Sequence, residues 1–294
     1  MAATICVMPA RRVLQGKVTN NRIAPLVLPA VLPPSLAALE ERVVNCERCP
    51  RLREYCAEIA RKRRRMWSEW EYWGRPVPSF GDPQARLLFV GLAPGAHGSN
   101  RTGRPFTGDG SGDFLYPILY EAGFASQPTA THRGDGLRLL DAWITSVVRC
   151  APPGNQPLPE ELANCAPYLD EEIAALPRVC VIFCLGKIGF DGVVAHLVRT
   201  GQIARRGALQ FGHGVCYAIP GGRWLMASYH PSLQNTNTGK LTREMMLDAL
   251  AQARERMQAG SRPMDAPALA EPGVRHDAGR PGISFPGADR IQQR

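Results

Sequence analysis

Three separated stretches of this chain hold side chains able to do acid–base, donor or stacking chemistry. The first, LLFVGLAPGAHGSNRTGRPFTGDGSGDFLY (87–116), carries His97, Asn100, Arg101, Arg104, Phe106, Asp109 and Asp113 in a glycine-rich loop. The second, VVRCAPPGNQPLPEE (147–161), presents Asn155 among prolines, and the third, SYHPSLQNTNTGKLT (228–242), presents His230 ahead of Ser232, Leu233 and Gln234. A positioned carboxylate can take a proton from a reacting group or face a developing cation. A histidine can donate to a departing anion. Gly98 to Gly103 has the G-x-x-x-x-G spacing of a phosphate cradle. Arg104-Pro105 stands where such a cradle needs Lys and then Ser or Thr, which argues against nucleotide hydrolysis. Residue by residue, blander roles are open: Asp109 as a turn residue in Gly-Asp-Gly, His230 as a structural histidine.

The cysteines suggest a second kind of chemistry. Cys46-x-x-Cys49 is a local chelating pair, and Cys150 and Cys165 form another across the proline loop and the next helix start. Four thiolates can hold a tetrahedral zinc or a [4Fe–4S] cluster, and spacing alone does not choose. Buried packing is the alternative for any of them. Cys180 and Cys184 lie in an apolar run and read as packing, while Cys6, Cys56 and Cys216 carry no pattern.

Strands must end where these groups begin. Residues 87–90 form a short apolar run, predicted as a buried strand. The loop from Gly91 turns helical from about Ser111, with Phe114, Leu115, Ile118 and Leu119 on one face. Pro117 fits there only within about the first turn. A second strand is predicted over 142–148, rich in β-branched residues. Pro159 then starts a helix with Glu160 and Glu161 in its first turn. A third strand over 179–185 precedes a helix carrying Val193, Val194, Leu197 and Val198. Late strands near 215–219 and 224–227 lead to a last helix over 242–257. This alternation predicts a mostly parallel sheet with helices on both faces. The loops after 90, 148 and 227 then converge on one crevice at the carboxyl ends of the strands. Residues 126–136 read as a surface loop.

Upstream, residues 1–35 read as an irregular extension with a helix from about Leu36. Residues 36–259 read as one domain, and 260–294 as a disordered tail. The basic run at 61–65 suits either a solvated helix face or phosphate contact. Trp67, Trp70 and Trp73 recur every three residues, which suits packing better than base stacking.

With 294 residues, 45% of them hydrophobic, the chain can bury a sizeable core. Its net charge of +9 suits a polyanionic partner. Nine cysteines, an odd number in a long chain, do not suit a secreted disulfide framework; a reducing cytosol fits better. No apolar run approaches membrane-spanning length, and the N-terminus lacks a signal-peptide core.

The three motifs in this order, with CERC at 46–49, resemble the uracil-DNA glycosylase superfamily, specifically family 5, the UDGb type. The resemblance covers about Leu36 to Met257. It implies a three-layer α/β/α fold with a central mostly parallel sheet. It also implies a monofunctional DNA glycosylase that excises uracil and other deaminated or damaged bases, starting base-excision repair. The ligands of a [4Fe–4S] cluster would be Cys46, Cys49, Cys150 and Cys165. Better-known members carry a water-activating carboxylate where this chain has Ala93, and a thymine-excluding aromatic where it has Gly95. Both departures agree with the UDGb type and imply a roomier pocket beside Gly91. By position Phe106 would stack on the flipped base, Asn155 would read its edge, and His230 would donate to it. Ser232, Leu233 and Gln234 would fill the duplex gap. Asp109 is the first candidate for the missing carboxylate and Asp113 the second. Arg101 and Arg104 are expected on the DNA backbone. The expected state is a monomer in the bacterial cytosol, acting on double- or single-stranded DNA and independent of membranes. A non-catalytic binder of uracil-containing or damaged DNA, and an RNA-directed or redox iron–sulfur protein, are the other classes.

Overall fold

A computed structural model describes residues 32–259. The predicted extension and tail therefore lie, beyond residues 32–35, outside the described residues. Helix α1 (Pro34–Val44) starts slightly before the predicted Leu36, and α2 (Pro50–Lys62) follows the Cys46/Cys49 turn. The sheet comprises β1 (Phe80–Gly81), β2 (Leu87–Gly91), β3 (Ala142–Ser146), β4 (Val181–Leu185), β5 (Val215–Ile219) and β6 (Arg223–Ser228). Its order is β1-β3-β2-β4-β6-β5. The four central strands run parallel, and the short β1 and the late β5 pair antiparallel at the edges. Every residue of β2, β3 and β4 is buried. Strands covered on both faces are mainly apolar, which explains why their sequences do not alternate; the buried polar side chains are Thr145 and Ser146 at the end of β3.

Alternate residues of β2 serve two cores. Leu88 and Val90 pack with α1, α2, α5 (Pro159–Ala175) and α6 (Lys187–Arg199). Leu87 and Phe89 pack with α4 (Gly110–Glu121) and α8 (Arg243–Ala259). The result is the expected α/β/α arrangement. The chain leaves β2 toward β3 on one side and returns to β4 on the other, making a crevice at their carboxyl ends.

Two local expectations are corrected. The loop after β2 contains a short helix, α3 (Ser99–Thr102), ended by Gly103 at φ +72°. Pro117 lies inside α4, well past the first turn. The hydrogen bond it forgoes would have gone to the carbonyl of Asp113, an exposed residue where water can substitute. Packing of Leu115, Ile118 and Leu119 against the sheet and α8 outweighs that loss. No described helix is long and apolar enough to cross a membrane.

Candidate active site

The loops after β2, β3 and β6 line one cavity of about 950 Å³. The first loop brings Ala93, Gly95, His97, Phe106 and Asp109. The second brings Arg149 and Asn155. The third brings His230 and the residues opening α7 (Leu233–Asn237). The predicted convergence is thus found, and all three motifs meet in one space.

Asp109 caps α4. Its Oδ1 accepts from the amides of Ser111 and Gly112, each at 3.1 Å. Its Oδ2 lies against glycine backbone. A Cβ on Gly98 would stand 1.8 Å from that oxygen, and one on Gly95 2.8 Å. Gly95 therefore makes room for the carboxylate. Burial raises the Asp109 pKa above the ordinary carboxylate value. The two cap amides and Arg101 pull it back down, and Asp113 pushes it up. Asp113, one turn on, is exposed at the cavity edge.

Phe106 is buried, with its backbone in the left-handed region at φ +50°. A Cβ on Gly91 would come within 3.1 Å of its ring, so a glycine ends β2. The His230 ring tilts against Phe106 at 5.8 Å between centroids. Burial lowers the His230 pKa from 6.5 to about 4, so at neutral pH the imidazole is uncharged and carries one N–H. Asn235 Nδ2 donates to the His230 carbonyl at 2.8 Å, tying this loop to α7. Asn155 is exposed on the cavity rim in a left-handed backbone, φ +58°, after Gly154 at φ +61°. Ser232 is the residue before α7, and Leu233 is an exposed apolar side chain packed over Gly110.

Arg101 and Arg104 do not stand where backbone contacts were expected. Each is only 3% exposed. The Arg104 fork grips Asp135 (2.8 and 2.7 Å), and its Nε donates to Thr107. This pair fastens the loop over 126–136, and it holds the Asp135 carboxyl well below its ordinary pKa against the effect of burial. Arg101 lies between the rings of Trp67 and Trp70, 4.2 Å from each centroid. Its Nε donates to the His97 carbonyl (2.8 Å) and its Nη2 to the Gly108 carbonyl (2.6 Å). Sequence patterning does not distinguish a solvated arginine from one that has been enclosed; the two tryptophans were the available signal.

The sequence also hid a buried tie beneath the second loop. Arg149 Nη2 pairs with Glu172, which also accepts from Trp143 Nε1 (2.9 Å) and from the Thr145 hydroxyl. Arg149 and Glu172 are 3% and 2% exposed. The clue was an acidic residue inside the apolar stripe Tyr168, Leu169, Ile173 of α5.

The four cysteines form one neighbourhood. Cys46 and Cys49 stand between α1 and α2, Cys150 follows β3, and Cys165 lies on α5. Cys49 interacts electrostatically with Cys46 and Cys150, and Cys165 with Cys150 and Cys49. Asn164 Nδ2 donates to Cys49 Sγ at 3.5 Å. Among the described residues, no three His, Cys, Asp or Glu are gathered as for a single metal ion. Cys56, unpatterned in the sequence, is fully buried and donates to the Ala151 carbonyl at 3.6 Å.

Comparison with known proteins agrees with this architecture. The family model for the uracil DNA glycosylase superfamily matches residues 78–254. The type-5 uracil-DNA glycosylase of Thermus thermophilus is 52% identical over 217 residues, 74% of this chain and 96% of that protein. The type-5 enzyme of Pyrobaculum aerophilum is 45% identical over 213 residues, 72% of this chain and 89% of that protein. A type-4 uracil-DNA glycosylase from Archaeoglobus fulgidus is 38% identical over 112 residues, 38% of this chain and 48% of its own. Likeness this extensive makes the chain a member of the uracil-DNA glycosylase superfamily, in its type-5 family.

Proposed function

We propose that this protein is a monofunctional DNA glycosylase that excises uracil, and other deaminated or damaged bases, to start base-excision repair. The observation that carries this reading is the meeting of Asp109, Phe106, Asn155 and His230 in one cavity. Excision needs the base out of the stack, at a cost of a few kcal/mol. Phe106 offers a ring for the extruded base to stack on, and Asn155 an amide to read its polar edge. Asp109 orients a water toward the sugar C1′ and takes its proton. The water oxygen bonds to C1′ as the N-glycosidic bond breaks, and that electron pair leaves with the base. Neutral His230 donates a hydrogen bond to the base oxygen where the negative charge gathers. Leu233, exposed at the cavity rim, fits the gap left in the duplex.

Cys46, Cys49, Cys150 and Cys165 are the proposed ligands of a [4Fe–4S] cluster. Soft thiolate donors suit iron–sulfur chemistry. Cys49 interacts electrostatically with Cys46 and Cys150, and Cys165 with Cys150 and Cys49, as ligands sharing one cluster would. When bound, the cluster would supply cross-linking of α1, α2 and α5 to the loop carrying Asn155, and no electron that excision needs. We place the protein as a monomer in the cytosol, with residues 36–259 as the glycosylase domain.

The test is abasic-site formation on a duplex with uracil opposite guanine. Strand scission at the uracil after alkali supports excision. Retention of the uracil by protein that still binds the duplex would identify a binder instead.

A further inference from the structure

Arg101 is an enclosed cation whose fork is spent on backbone rather than on an anion. Its two hydrogen bonds join the His97 carbonyl at one side of the loop to the Gly108 carbonyl at the other. Gly108 immediately precedes Asp109. It has φ +77°, and a Cβ there would stand 2.4 Å from Arg101 Nη2, so the contact is close-packed as well as polar. The guanidinium carbon lies over the rings of both Trp67 and Trp70, and Trp67 also stacks on His97, whose Nδ1 meets the Tyr72 hydroxyl at 3.1 Å. A chain segment some forty residues upstream is thereby held against the loop that ends in the carboxylate.

We infer that Arg101, clamped between Trp67 and Trp70, is the positioning residue of Asp109: it fixes the Gly108 peptide and sets its charge beside the carboxylate. This rests on Asp109 being the water-orienting group. Two consequences follow from the one side chain. The fork holds the peptide that precedes the carboxylate, and the charge adds to the cap amides in lowering the pH at which it ionises. The groups bearing on Asp109 are Asp113 on α4 and Arg101 on α3. His97, Arg64, Arg149 and His230 also line the cavity. Burial and Asp113 raise the Asp109 pKa, whereas Arg101 lowers it. Removing the cation therefore raises that pKa further and leaves less carboxylate at a given pH.

The experiment is single-turnover excision from the uracil–guanine duplex between pH 5 and 9, with wild type, Arg101→Met, Arg101→Lys, Asp109→Asn and the Asp109→Asn/Arg101→Met double variant. Arg101→Met should be slower by about tenfold to a hundredfold at neutral pH, a part of what a positioned base contributes. Its acid limb should move to higher pH, so that raising the pH restores part of the rate. Its duplex affinity should stay close to wild type. Arg101→Lys keeps volume and charge but loses the fork, so it should slow excision while leaving the limb where wild type has it. In the Asp109→Asn background, Arg101→Met should add less than about twofold, as residues acting through one another are not additive.

A loss for Arg101→Met that is equal at every pH, or that persists undiminished in the Asp109→Asn background, would overturn the inference. If Arg101→Met does not fold, Arg101→Lys decides: a wild-type rate at every pH would overturn it. Failure of the underlying reading looks different, since Asp109→Asn would then excise at the wild-type rate.

Discussion

Asp109 works with both of its oxygens. One holds the first turn of α4 and the other faces the Gly95 and Gly98 backbone. Asparagine also caps helices well, so Asp109→Asn should leave thermal stability nearly unchanged. Its single-turnover excision rate should fall by roughly 10²–10⁴. Asp113→Asn, at an exposed position, should stay close to wild type; collapse of Asp113→Asn alone would move the carboxylate role to it. Gly98→Ala places a methyl 1.8 Å from Oδ2 and 2.5 Å from Cγ, so the carboxylate must swing away. Its excision loss should match that of Asp109→Asn within about tenfold, with duplex affinity retained. His230 supplies the pH test. Its folded pKa of about 4 lies below the ordinary 6.5. The unfolded chain thus takes up this proton first as pH falls. Stability present above pH 6.5 is lost progressively toward pH 4. Thermal unfolding followed across that window should show a shallower decline for His230→Leu than for wild type.

At the scale of elements, the ends of β3 and α5 are locked by charge inside the core. Glu172 receives Trp143, Thr145 and Arg149 together, beneath the loop that carries Cys150 and Asn155. Leaving one member of such a buried pair uncompensated costs about 3–5 kcal/mol. Glu172→Gln should lose on the order of 3 kcal/mol in urea unfolding. Glu171→Gln on the same helix, whose partner Arg42 is half exposed, should lose far less, since solvent screens such a pair. Equal losses for the two would show that the Glu172 tie is no stronger than a surface pair.

For the whole molecule, the proposed cluster joins segments that the sheet alone leaves far apart in sequence. Cys46 and Cys49 precede the sheet, and Cys150 and Cys165 flank the second motif loop. Purified protein should be brown, with broad visible absorbance and iron and sulfide by analysis. Cys150→Ser should be colourless and should unfold at lower temperature than wild type, since cofactor binding to the folded state adds to its stability. Bound zinc without iron, after anaerobic purification, would refute the cluster assignment.

Much of the fold was legible because its signals are local. Four short runs rich in apolar or β-branched residues marked the central strands, and the three motif loops had to meet once those strands were parallel. Of the residues at that meeting, Phe106, Asn155 and His230 follow from motif position, and Asp109 from its place in the long loop, with Asp113 as the alternative. What the sequence left open depends on the solvent each side chain meets. Arg101 and Arg104 carry the same charge as the exposed run at 61–65, yet tertiary packing encloses them with Trp67, Trp70 and Asp135. Pro117 sits mid-helix because contacts from another layer hold α4 together. Gly98 looks like an ordinary loop glycine, and Gly95 like a place where an aromatic is missing, until Asp109, more than ten residues later, is folded against them. Periodicity and motif report what a segment does by itself; burial, ion pairing and close approach are set by distant segments, and only the tertiary structure brings those together.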